Sequence, residues 1–177
     1  MTNGKRILVV YYSSTGNTRR VAQDIAARLG ADIERINDEK NRRGLFGLIG
    51  AALDSARERP AQITPTSKCP SDYALIVVGT PVWAGKMTPA ARAYLRMIRG
   101  SLSDIAFFTT SGATDAEKIV PAMEALAGRQ AVAFSGFNDR ELKTAALYDQ
   151  KLSLFVNALQ GKRCSTISDY RDAHSHA

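Results

Sequence analysis

The sequence predicts an α/β domain of three layers, with helices on both faces of a doubly wound, five-stranded parallel sheet. Three observations carry this reading. The runs RILVVYY (residues 6–12) and YALIVVGTP (73–81) are apolar and rich in branched side chains, as strands covered on both faces are. Five strand-like segments alternate with five segments of helical periodicity, the pattern of successive βαβ units. Crossovers between parallel strands are right-handed, which makes a doubly wound sheet the natural arrangement. A chain of 177 residues suffices for one core and is short for two, so a single domain is expected over residues 1–160, with a loose polar tail at 161–177.

After the first strand, Val21, Ile25 and Leu29 recur every four residues beside Ala22 and Ala26, one face of a helix that Gly30 closes. ADIERI (31–36) alternates weakly and suits a strand near a sheet edge. The basic turn NDEKNRRG (37–44) leads into LFGLIGAALDSA (45–56), a short helix despite Gly47 and Gly50, and offers a possible partner or homodimer surface. RERPAQITPTSKCPSD (57–72) has the proline and polar content of a surface connection.

The strand at 73–81 is expected to stop between Gly79 and Pro81. Thr88 followed by Pro89 supplies an N-cap and a proline in the first helical position, with Ala90, Tyr94, Met97 and Ile98 facing inward. IAFFTT (105–110) is the next strand. Thr114 and Glu117 have capping-box spacing for a helix that buries Ile119, Met123 and Leu126. AVAFSGF (131–137) is the fifth strand, and Leu152, Phe155, Val156 and Leu159 mark the last helix.

Lys and Arg number 24 against 17 Asp and Glu, a net charge of +7, which favours anionic partners. The basic residues are dispersed and no nucleic-acid motif accompanies them, so nucleic acid is not expected among the partners. No apolar run approaches the roughly 20 residues of a spanning helix, and the apolar run at the amino terminus lacks a signal-peptide cleavage site. No membrane association is expected. Cys69 and Cys164 lack metal-ligand spacing and read as thiols of a reducing compartment, hence a cytoplasmic location. His174 and His176 fall in the tail. No metal site and no catalytic acid, base or nucleophile are expected.

The informative stretch is SSTGNT (13–18), where strand gives way to helix. Backbone amides and the positive helix start can hold an anion there, the hydroxyls add donors, and Gly16 lets the backbone come close. The same residue types also make a simple helix cap. Neither GK[ST] nor GxGxxG is present, and no cysteine lies in the loop. Such a loop is equipped to hold a phosphate and lacks the parts that transfer one.

At SSTGNT, at GTPVWAGKM (79–87) and at TSGATD (110–115) the chain resembles the flavodoxin-like family over roughly residues 5–160. The resemblance implies strand order 2-1-3-4-5 and flavin mononucleotide (FMN) as cofactor. It implies that Ser13, Thr15, Gly16, Asn17 and Thr18 hold the phosphate, with Ser14 contributing its amide. Thr80, Pro81, Val82, Trp83, Ala84 and Gly85 would approach one side of the flavin ring, and Ser111, Gly112 and Ala113 the other. Trp83 could stack on the ring or be a structural aromatic. Lys86 would favour the negatively charged reduced ring if it lies close, and is otherwise a solvated lysine. Electron-carrier flavodoxins are acidic and flank the flavin with two aromatics, whereas this chain is basic and TSGATD has none. Three functions follow: an electron carrier to a redox partner protein, a reductase taking hydride from NAD(P)H to a quinone or other small acceptor, and a phosphate-ligand binding module outside redox chemistry.

Overall fold

The computed structural model describes residues 6–38, 61–100, 104–112 and 115–161. The segment 45–56, most of the 37–44 turn, Ala113, Thr114, Cys164 and both histidines lie outside them, as does the tail beyond Gly161. Among the described residues, the sheet is built from β1 (Ile7–Tyr11), β2 (Asp32–Arg35), β3 (Leu75–Trp83), β4 (Lys86–Met87), β5 (Asp104–Ser111) and β6 (Phe134–Asn138). Five of these are parallel in the order β2-β1-β3-β5-β6, and the two-residue β4 pairs antiparallel to the end of β3. With β4 set aside as a hairpin return, this is the expected 2-1-3-4-5 order.

Two apolar layers follow from the period-two alternation of the central strands. Val9 and Tyr11 of β1, Val77 of β3 and Phe108 of β5 face α1 (Asn17–Leu29) and the last helix. Leu8, Val10, Ile76, Val78 and Phe107 face the other way, onto α2 (Pro89–Met97) and α3 (Val120–Ala127). A short α4 (Asp139–Lys143) precedes the long α5 (Ala145–Gly161), whose Leu152, Phe155, Val156 and Leu159 are buried as the spacing predicts. None of the described helices is long and apolar enough to cross a membrane.

Several local expectations hold in detail. Thr88 Oγ1 accepts from the Ala91 amide and Pro89 opens α2. Gly30 ends α1 in the left-handed region at φ 59°. Four others are corrected. Met97 is 49% exposed, and Leu95 is buried in its place; at about 100° per residue, Met97 falls at one edge of the buried face, which is centred on Ala91, Tyr94 and Ile98. The helix expected from Thr114 begins only at Val120, because a tight turn at Ala116–Lys118 intervenes and Pro121 fits only the first helical turn. The fifth parallel strand starts at Phe134 rather than residue 131, although the Ala133 carbonyl still accepts from the Phe107 amide. The connection after residue 60 is not wholly superficial, since Ala61 and Ile63 pack on the core.

That connection runs antiparallel beside the edge strand. Ile63 bridges Asp38, the Thr64 amide donates to the Asn37 carbonyl, and the Glu34 carboxylate accepts from Ser67 Oγ at 2.8 Å. At the opposite end of the sheet from the strand carboxyl termini, Asp32 accepts from Arg6 at 2.7 Å and from the Tyr73 hydroxyl at 2.8 Å. These donors, Tyr73 first, hold the Asp32 carboxyl below its ordinary range.

Gly79 is fixed by packing. It pairs with Tyr11 on one side and Phe108 on the other, and a Cβ added to it would fall 2.0 Å from the Phe108 ring. Overpacking of this kind costs about 1–3 kcal/mol. Gly79→Ala is therefore expected to lower unfolding free energy by that amount in urea titration, with the m-value unchanged.

Candidate functional site

The carboxyl ends of the parallel strands finish on one side of the sheet. Register places Tyr11 beside Gly79, Pro81 beside Thr110, and Ser111 beside Asn138. From β1 the chain runs to β2 on one side and then, by the long connection, to β3 on the other. The crevice outside β1 and β3 is thus the topological switch point, where open α/β sheets bind ligands.

Residues 13–18 line one wall. Ser13 is buried, and its Oγ accepts from the Gly16 amide at 3.1 Å, folding the loop on itself. Ser14, Thr15 and Asn17 are exposed, and Thr18 is buried with its hydroxyl 2.8 Å from that of Thr110. The start of α1 lacks the side-chain cap that these residue types could make. Gly16 holds the cap position at φ 105°, no side chain caps the helix, and the Arg20 amide makes the first helical bond, to the Gly16 carbonyl. The amides of Asn17, Thr18 and Arg19 precede that bond, so they are the donors a helix start presents outward. The serines and threonines, numerous enough to cap the helix, leave that role unfilled.

Charge reinforces this. The first turn has no acidic residue and contains Arg19 and Arg20, the reverse of what the helix dipole favours. Arg20 is anchored, donating to the Leu142 carbonyl at 3.0 Å with its guanidinium 4.4 Å from the Tyr148 ring centroid. Arg35, at the end of β2, donates to the Ser13 carbonyl at 3.2 Å. Positive charge thus surrounds the loop from two elements.

The second wall departs from the expected stop at Gly79–Pro81. β3 continues to Trp83, turns through Ala84 (φ 48°) and Gly85 (φ 70°), and returns as β4, pairing Val82 with Met87 and Trp83 with Lys86. Two consecutive left-handed residues make a two-residue hairpin turn whose twist suits the flanking strands. Pro81, Val82 and Trp83 are half-buried, whereas Ala84 and Gly85 stand exposed at the tip. Trp83 packs edge-on against Tyr12, ring centroids 5.7 Å apart and planes at 87°. Thr80 is fully buried, its Oγ1 3.0 Å from that of Thr88, so its hydroxyl braces the hairpin against the start of α2. On the third side, Ser111 is half-buried and Gly112 exposed, close to Asp139 in the first turn of α4.

The structure therefore brings residues 13–18 beside the hairpin through Tyr12, and beside the end of β5 through Thr18 and Thr110. Sequence reasoning missed Tyr12, which reads as one more strand residue, and Thr110, which opens TSGATD but was given no role beside Ser111, Gly112 and Ala113. It also missed the capping box at α4, where Asn138 accepts from the Glu141 amide and Glu141 accepts from the Asn138 amide. The N-x-x-E spacing in NDRE was its signal.

No family model matches the chain, and no curated protein does. Solved structures do. A flavoprotein from Lactobacillus acidophilus NCFM in complex with FMN matches with a TM-score of 0.67 and 21% identity, over 84% of this chain and 99% of its own. The apo-form of that organism's flavoprotein matches at 0.60 and 22%, over 79% and 97%. Oxidised flavodoxin 2 from Bacillus cereus matches at 0.54 and 16%, over 89% and 99%. The fold is the flavodoxin-like one.

Two measurements probe the loop and its anchor. A Cβ on Gly16 would meet nothing within 4 Å, so any cost of Gly16→Ala is conformational. The variant is expected to lose about 1–2 kcal/mol in thermal or urea unfolding, the cost of a left-handed backbone for an L side chain. Burial, followed by the hydrogen bond to Asp24, raises the pKa of the Tyr148 hydroxyl. A raised pKa contributes stability that is complete below the free-tyrosine value of about 10 and is lost as pH climbs past it. The melting temperature should fall with pH above that point, less steeply in Tyr148→Phe.

Proposed function

We propose that the chain is an FMN-binding redox protein that carries electrons to a protein partner. The observation that supports it most directly is the start of α1, where Gly16 at φ 105° leaves the helix without a side-chain cap between arginines and hydroxyls. A phosphate ester, which only accepts hydrogen bonds, fits this set of donors, and the first turn contains no carboxylate to repel it. The fold shared with the FMN-containing flavoprotein supports the same reading.

In this reading Ser13, Ser14, Thr15, Gly16, Asn17 and Thr18 hold the phosphate. Pro81, Val82, Trp83, Ala84 and Gly85 lie along one side of the ring, and Ser111, Gly112 and Ala113 along the other. Bound FMN supplies the electron-accepting and electron-donating ring. The chain's residues bind and orient it: Tyr12 fixes the plane of Trp83, and the Thr80–Thr88 hydroxyl pair holds the hairpin to α2. Lys86 contributes positive charge on the hairpin. No side chain is required as acid, base or nucleophile.

A second reading, reduction of a quinone or similar small acceptor by NAD(P)H, is favoured by one feature. TSGATD carries no aromatic, and Gly112 is exposed, so little side-chain bulk covers that side of the site. The net charge of +7 would attract an anionic dinucleotide.

Titration of the chain with FMN, followed by quenching of flavin fluorescence, is expected to give saturable binding at micromolar concentration or below. Thr15→Ala should weaken that binding by about 10- to 100-fold, the loss of a hydrogen bond to a charged group. No binding at micromolar FMN rejects both redox readings. Anaerobic mixing of the loaded protein with NADPH or NADH then separates them: rapid bleaching identifies the reductase, and persistence of the yellow colour the carrier.

A further inference from the structure

Thr18 and Thr110 are 92 residues apart in sequence, yet their hydroxyl oxygens lie 2.8 Å apart. Both side chains are buried, at 1% and 4% exposure. Thr18 is the second residue of α1, and Thr110 the last but one of β5, paired with Pro81 on one side and Phe137 on the other. The contact therefore joins the anion-binding loop to the strand ends from which both ring-facing segments leave.

A pair of hydroxyls has two protons and shares only one hydrogen bond. Among the described residues neither hydroxyl makes another side-chain hydrogen bond, so either direction of donation is open within the chain. An anion at the start of α1 removes that freedom. It can only accept, so Thr18 binds it by donating its O–H to it, and Thr110 must then be the donor to Thr18. Donation the other way would turn the lone pairs of Thr18 toward the anion.

We propose, resting on the FMN reading above, that Thr110 is a positioning residue for the phosphate. It donates to Thr18 Oγ1, fixes that side chain in the first turn of α1, and commits the Thr18 proton to the phosphate. The pair thereby makes the site selective for the phosphorylated flavin over riboflavin, which has no charge to direct the donation. Neighbouring hydrogen bonds polarise one another in a buried setting, so a neutral threonine one step removed still strengthens the contact to the anion.

The test compares FMN and riboflavin affinities, by fluorescence quenching, for the wild type, Thr110→Val, which keeps the shape and removes the donor, and Thr110→Ser, which restores it. Thr110→Val is expected to weaken FMN by about tenfold while riboflavin changes by less than about twofold, and Thr110→Ser to return FMN to within about threefold of wild type. In a double-mutant cycle, adding Thr110→Val to Thr18→Val should cost FMN little more than Thr18→Val alone. Should Thr110→Val not fold, Thr110→Cys, similar in size and a weak donor, replaces it with the same expected split. The proposal is overturned if both flavins weaken alike, which is a packing effect, if FMN affinity is unchanged, or if Thr110→Ser fails to restore it. A wild type that binds FMN but prefers it no more than riboflavin overturns this proposal alone. A wild type that binds neither flavin overturns the FMN reading and this one with it.

Discussion

The structure depends on β3 lying between β1 and β5 without a side chain at residue 79. The Phe108 ring occupies the space where that side chain would be, and this close approach sits in the register that sets Tyr11 beside Gly79 and Pro81 beside Thr110. The loops leaving β1, β3 and β5 consequently open from one side of the sheet. A shift of one residue would turn every side chain of β3 to the opposite layer, exchanging Ile76 and Val78 for Val77. The two apolar layers hold the register, and the register brings the loops together.

Upon that frame stands a helix that begins badly by local rules. α1 has no side-chain cap, a glycine at φ 105° and two arginines where acidic residues are favoured. Each choice weakens an isolated helix. Burial of Val21, Ala22 and Ile25 against the sheet offsets that weakness, and Arg20 is secured by a carbonyl and an aromatic ring. Departures from local preference that packing must offset are characteristic of functional sites. Among the described residues, the start of α1 combines several such departures.

The fold was legible because its strongest signals are long and periodic. The apolar runs around Val9 and Val77 and the four-residue spacing of Val21 and Ile25 admit few alternatives, and Thr88-Pro89 announces its helix. The failures have short-range causes. β3 was expected to stop near Pro81 because proline and glycine usually punctuate; here the chain doubles back two residues later, and nothing in AGK distinguishes a tight hairpin from a plain loop. Met97 misled because a long apolar side chain at the end of a short helix carries almost no phase information. At the site, SSTGNT was conspicuous by composition. Tyr12 and Thr110 were not, since their roles come from partners 71 and 92 residues away, and only the assembled sheet joins them.

The segment that follows β2 has a consequence for how the protein behaves among copies of itself. An exposed edge strand is a template on which another chain can build, and DIER, at the edge of the sheet, carries the exposed apolar side chain of Ile33. Ile63 and Thr64, bonded to Asp38 and Asn37, and Ser67, held by Glu34, occupy the flank where a foreign strand would dock. The chain thus supplies its own guard against edge-to-edge aggregation, and the carboxylate of Glu34 is the latch.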